Sequence, residues 1–116
     1  TDTEPVYRVP KAVAEVLTAD GAQSMLGMVR HLGNCQRAWG QLASVVLRGK
    51  PAVRRPSVLG ADGDLASFIQ AMHEVSDPVA TPLVASLGKL TFTHLLDLGG
   101  ASGTWTIPFL QLNPDA

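Results

Sequence analysis

The sequence is poor in the residues that would commit it to several common protein classes. It has one cysteine, Cys35, so an internal disulfide and a Cys-rich metal pattern are both excluded. A lone thiol points by default to a reducing cytoplasm. Only 5% of residues are aromatic and 16% are charged, and the formal net charge is −1. That balance provides no positive field to favour nucleic acid or an anionic membrane surface. Apolar runs are short throughout, well under the roughly 20 residues of a membrane-spanning helix. What is present is a globular composition, 46% hydrophobic over 116 residues, enough for one ordinary domain or for parts of two. The opening Thr1-Asp2-Thr3-Glu4 has no initiator Met, basic segment or apolar core of a signal peptide. With the end at Asn113-Pro114-Asp115-Ala116, just after a predicted helix that follows a strand, both ends read as cut, as expected of an internal piece.

Helical spacing dominates the pattern. Val6-Tyr7-Arg8-Val9 alternates like a short strand, and Pro10 ends it and suits the first position of a helix through Val13, Val16 and Leu17. Met25, Leu26, Val29 and Leu32 predict a second helix, with Gly33 as its stop and Asn34 as the N-cap of a third. That third helix carries Trp39, Leu42 and Val46 on one stripe and ends at Gly49. Residues 48–64 read as a connector, broken by Pro51 and Pro56 and loosened by Gly60 and Gly63. Its cluster of Arg48, Lys50, Arg54 and Arg55 lacks interleaved aromatics and reads as a solvated face. Asp62 or Asp64 can cap a helix with Leu65, Phe68, Ile69 and Met72. A further helix is expected to start at Pro78 or at Pro82 and to end at Gly88.

The strongest local signal is Leu95 to Trp105, LLDLGGASGTW. The apolar run His94-Leu95-Leu96-Asp97-Leu98 predicts a buried strand. Gly99-Gly100-Ala101-Ser102-Gly103 predicts a tight loop, and Ile107, Phe109, Leu110 and Leu112 predict a helix. Strand, glycine loop and helix make the first half of a βαβ unit, whose ligands bind beyond the C-terminal ends of the strands. The loop lacks the lysine followed by Ser or Thr of a phosphate-gripping loop. Asp97 would oppose the pyrophosphate of a dinucleotide. A sulfonium or ammonium ligand is compatible with that carboxylate, which can act by fixing the loop rather than touching the ligand. Against this stands the plainer reading of a turn between strand and helix.

At this point the residues resemble the class I methyltransferases, and within them the small-molecule O-methyltransferases related to acetylserotonin and caffeate methyltransferases. Asp97-Leu98-Gly99-Gly100-Ala101-Ser102-Gly103 is similar to the family's first motif. Phe68-Ile69-Gln70-Ala71-Met72 resembles its Phe-x-x-x-Met helix, which lines the cofactor pocket. Trp39-Gly40-Gln41-Leu42 and Arg48-Gly49-Lys50-Pro51 resemble its Trp-x-x-Leu helix and Gly-x-Pro link, and Val6–Val9 resembles the last strand of its winged-helix dimerisation domain.

The resemblance implies a mainly α chain that ends in the first strand, loop and helix of an α/β Rossmann-like domain. Residues 1–50 would belong to the helical dimerisation region, 51–63 to a linker and 64–116 to the start of the methyltransferase domain. It implies S-adenosylmethionine as cofactor, a small-molecule hydroxyl as acceptor and homodimerisation through the helical region. The cofactor residues it implies are Asp97, Gly99, Gly100, Ala101, Ser102, Gly103, Phe68 and Met72. Phe68 and Met72 equally satisfy core spacing. Ala101 stands where the family has another glycine, tolerable at negative φ and crowded otherwise. No position matches the family's catalytic histidine or its ribose-binding acid, so the piece alone is expected to be inactive. His31, His73 and His94 read as structural or surface residues, and Trp39 and Trp105 as core or interface anchors. The competing reading is a non-catalytic helical dimerisation or interaction module. A winged-helix DNA binder fits poorly with the slightly negative charge.

Overall fold

Five α-helices carry the regular structure in the computed structural model, which describes residues 7–115. They are α1 (Lys11–Leu17), α2 (Leu26–Trp39), α3 (Leu42–Arg48), α4 (Gly60–Ser86) and α5 (Thr106–Leu112). The mainly helical expectation holds, and no strand forms among the described residues.

Two expected boundaries dissolve into longer helices. α2 runs straight through Gly33 and Asn34, where a stop and a new N-cap were predicted. An internal glycine costs only about 1 kcal/mol, and the packing of α2 along α4 outweighs it. Asn34 accepts a bond from Arg37 within the helix instead. The break comes six residues later, at Gly40 and Gln41, before α3. The Gln41 amide then grips the connector, with Oε1 accepting from the Val53 N–H and Nε2 donating to the Val53 carbonyl, both at 3.1 Å. Gly49 closes α3 at φ 60°, as its position predicts.

α4 likewise contains both Pro78 and Pro82, so neither starts a new helix. Each proline removes one backbone donor and would ordinarily break a helix. Here the two are exposed and four residues apart, so both breaks in the bonding fall on one solvent-facing side of the helix. The opposite stretch is anchored by Ala80 and Val84, which are fully buried or nearly so. Pro108 sits in the first turn of α5, where no intrahelical N–H bond is lost.

α4 is the spine. On one side Gly27 of α2 is buried against Gln70 and Glu74 of α4, and its lack of a side chain lets the two helices approach closely. A Cβ at Gly27 would come within 2.7 Å of Gln70 Cγ. Glu74 then reaches across and accepts from the N–H groups of Gly27 and Met28, at 3.0 and 2.8 Å. These are two of the free donors at the start of α2, and the negative charge suits that end of the helix dipole. On the other side α4 meets α5 and the loop before it, burying Thr104, Pro108 and Asn113.

The segment 94–98 is irregular, with Leu96 80% and Leu98 85% exposed. The predicted strand is therefore corrected to an unpaired segment, because a strand exists only by hydrogen-bonding to a neighbour. The expected strand at 6–9 fares similarly: Val6 lies outside the described residues, and Tyr7, Arg8 and Val9 are irregular and exposed. The radius of gyration is 19.9 Å, against about 13 Å for a compact chain of this length. Large apolar side chains are correspondingly exposed, among them Trp39 at 70% and Leu47 at 86%. No described helix is long and apolar enough to cross a membrane.

Candidate functional site

The glycine loop is built by backbone geometry first. Gly99, Ala101 and Gly103 have φ of 77°, 44° and 71°, so the chain alternates through the left-handed region and coils tightly. The Gly103 N–H closes a turn on the Gly100 carbonyl at 2.7 Å, and the Ile107 N–H closes the first turn of α5 on the Gly103 carbonyl at 2.8 Å. Ala101 is the one non-glycine at positive φ among the described residues. A side chain there costs about 1–2 kcal/mol, so the negative φ that would make this alanine comfortable is not adopted.

Side chains then lock the coil at both flanks. Asp97 folds back over the loop and accepts from the Thr106 hydroxyl, and its carboxylate occupies the space that a Cβ on Gly100 would need. The carboxylate thus fixes the loop, one of the two roles open to it from the sequence. On the inner side Ser102 Oγ lies 2.6 Å from Thr104 Oγ1, and Thr104 Oγ1 lies 2.8 Å from His73 Nδ1 on α4. Below the loop, Asn113 accepts from the Leu90 N–H at 2.9 Å and donates to the Phe109 carbonyl at 2.8 Å. Gly99, Ala101 and Ser102 remain exposed on the outer side.

The expected pocket-lining pair is placed differently from the loop residues. Phe68 is 41% exposed, and its ring packs against His31 of α2 with centroids 5.0 Å apart. At about 100° per residue, Phe68 points some 140° away from His73, the α4 residue that meets the loop, and Met72 some 100° away. Met72 is half-buried. A groove of about 510 Å³ lies instead between α2 and the first half of α4, beside Arg30, Ser67, Gln70 and Glu74.

A second polar cluster joins the connector to both long helices. Asp64 accepts from the Ser57 N–H at 2.8 Å and from the Ser57 hydroxyl. Those Ser57 bonds, the hydroxyl foremost, together with the Asn34 amide and the Arg37 guanidinium, hold its carboxyl below the usual carboxylate range against the opposing effect of burial. Asp64 so ties the connector to α4 rather than capping it; the residue preceding α4 is Leu59, without a side-chain cap. The basic cluster Arg48, Lys50, Arg54 and Arg55 is exposed, and the ion pairs of the described residues, Lys11–Glu15 and Lys89–Asp115, lie elsewhere. Among the described residues no group of three or more His, Cys, Asp or Glu is gathered that could hold a metal ion.

Sequence reasoning singled out the loop and Asp97. It did not connect the loop to Thr104, Thr106 or His73. Only Thr106 carried a local signal, as a hydroxyl at the start of the helix after an acidic residue in an apolar run. Comparison with protein-family models, with curated proteins and with solved structures finds no match.

Proposed function

We propose that this chain supplies the first cofactor loop of an S-adenosylmethionine-dependent O-methyltransferase acting on a small-molecule hydroxyl. The observation that carries the proposal is the loop from Asp97 to Thr106. Its backbone is held in a coil that includes one strained alanine, it is pinned by side chains on both flanks, and it is open to solvent at Gly99, Ala101 and Ser102. Strain retained in a pinned, exposed loop is characteristic of sites that receive a ligand. The order in which the Trp-x-x-Leu, Phe-x-x-x-Met and Asp-x-Gly-Gly-like segments follow one another along the chain supports the family assignment.

In this reading the loop residues do two things. Gly99 and Gly100 let the backbone approach the ligand without side chains intervening, and Asp97 keeps that surface in shape through Thr106. When bound, S-adenosylmethionine would supply an activated methyl group for the acceptor hydroxyl, whose proton would have to be taken up. Alignment of oxygen and methyl, and a base to take that proton, are what a protein adds. None of the chain's histidines fits the base: His31 stacks on Phe68, His73 is bonded to Thr104, and His94 pairs with Thr93. The 116 residues alone are therefore expected to bind without turnover. Equilibrium dialysis with labelled S-adenosylmethionine tests the reading: the wild-type chain binds, and Gly99→Val, which forces a β-branched residue to φ 77°, abolishes binding. Equal binding by both, or by neither, overturns it.

A second reading, a helical module that dimerises without binding a cofactor, is favoured by one observation. Trp39, Val46 and Leu47 on α2 and α3 are 70–86% exposed, more apolar surface than a monomer keeps without reason. Sedimentation equilibrium separates the two: self-association with no cofactor binding selects the module, and self-association with binding fits a homodimeric methyltransferase.

A further inference from the structure

The methyltransferase reading leaves one group at the loop without a role, the imidazole of His73. It is half-buried on α4, facing the loop rather than α2, and its Nδ1 lies 2.8 Å from Thr104 Oγ1. Thr104 is 7% exposed, so its hydroxyl can satisfy itself only through the protein. It stands 2.6 Å from Ser102 Oγ, and Ser102 is exposed in the middle of the ligand loop. Three side chains thus make one relay from the spine helix to the ligand-facing surface. Among the described residues no other side-chain hydrogen bond joins α4 to the segment Gly99–Thr104.

We propose that His73 is a positioning residue for the cofactor loop, acting through Thr104 to hold Ser102 and the coil in their ligand-ready shape. The proton count of the relay makes the role directional. If Nδ1 carries a proton it donates to Thr104, Thr104 donates to Ser102, and the Ser102 proton is left to point outward. If Nδ1 is bare, Ser102 donates to Thr104, Thr104 donates to Nδ1, and Ser102 offers only lone pairs outward. Each of the two imidazole tautomers goes with one of these arrangements, so the tautomer that His73 holds sets the hydrogen-bonding polarity of the loop. The ligand consequence rests on the methyltransferase reading; the positioning of the loop does not.

The test uses His73→Asn, whose amide can donate or accept near the place of Nδ1, against His73→Leu, which can do neither, with Thr104→Val cutting the relay at its centre. A buried hydrogen bond of this kind contributes roughly a factor of three to ten in local opening. His73→Leu and Thr104→Val are thus expected to speed amide exchange at Gly99–Gly103 by about tenfold and to weaken S-adenosylmethionine binding comparably, while His73→Asn stays within about twofold of the wild type. Long-range 1H–15N spectra of the wild type are expected to show His73 fixed in one tautomer. Exchange at Gly99–Gly103 unchanged in all three variants, or His73 averaging between tautomers like a free imidazole, overturns the proposal. Should the wild type bind no S-adenosylmethionine while the exchange pattern appears as expected, the methyltransferase reading falls and the positioning role of His73 stands.

Discussion

Replacing Ala101 with glycine should make the protein more stable, against the usual outcome of putting glycine into a folded chain. Ala101 sits at φ 44°, where a Cβ crowds the following carbonyl and costs about 1–2 kcal/mol. Glycine removes that cost. It also adds unfolded-state freedom worth about 0.4–1 kcal/mol in the opposite sense. Taking the middle of each range leaves a net gain of about 0.8 kcal/mol. In amide exchange at Gly100–Thr104 that gain reads as roughly fourfold slower opening. In a melting curve it reads as a rise of about 3–6 °C if the loop unfolds with the rest. Ala101→Val is the control and should lose at least as much as glycine gains, because a β-branched residue fits this region worse. If Ala101→Gly exchanged faster or melted lower than the wild type, residue 101 would not be left-handed, and the account of a strained loop would fail with it.

Other outcomes follow from the same structure. Glu74→Ala removes an acceptor that satisfies two N–H groups at the start of α2 and should cost about 2–3 kcal/mol in urea unfolding; Glu74→Gln, which keeps one carbonyl acceptor, should lose about half of that. Asp64 has its carboxyl pKa lowered in the folded chain by Ser57, Asn34 and Arg37. Its contribution is thus complete above the unfolded carboxylate pKa of about 4 and is lost as pH falls through the lower folded value. The protection factor of the Ser57 amide, its exchange relative to the intrinsic rate, should fall on acidification below that point, and Asp64→Asn should abolish the pH step.

Local signals in the sequence were reliable where a single residue decides the backbone. Gly49 ends α3 in the left-handed conformation its position calls for, and the glycine loop is followed by α5. They failed where long-range packing decides. Gly33 and Pro78 both carry strong local stop or start signals, yet each lies inside a helix held by long-range packing, α2 along α4 and α4 through its buried Ser67, Ala71, Ala80 and Val84. Their cost is real but smaller than what that burial contributes. The strand at 94–98 failed for another reason: its apolar run is genuine, but a strand is a property of a pair, and no partner segment exists among the described residues. At the site, Asp97 was legible because an acid interrupting an apolar run is conspicuous. The His73–Thr104 contact was not, because it spans 31 residues and nothing in either local pattern names the other. Glu74 was hidden in the same way, 47 residues from Gly27.

The central claim is that the coil from Asp97 to Thr106 receives S-adenosylmethionine, and a residue-resolved amide titration tests it most directly. Adding S-adenosylmethionine to the 15N-labelled protein should move the Gly99, Gly100, Ala101, Ser102 and Gly103 amides in a saturable way, while a nicotinamide dinucleotide at the same concentrations leaves them in place. Loop amides that ignore S-adenosylmethionine, or that respond equally to the dinucleotide, would contradict the account.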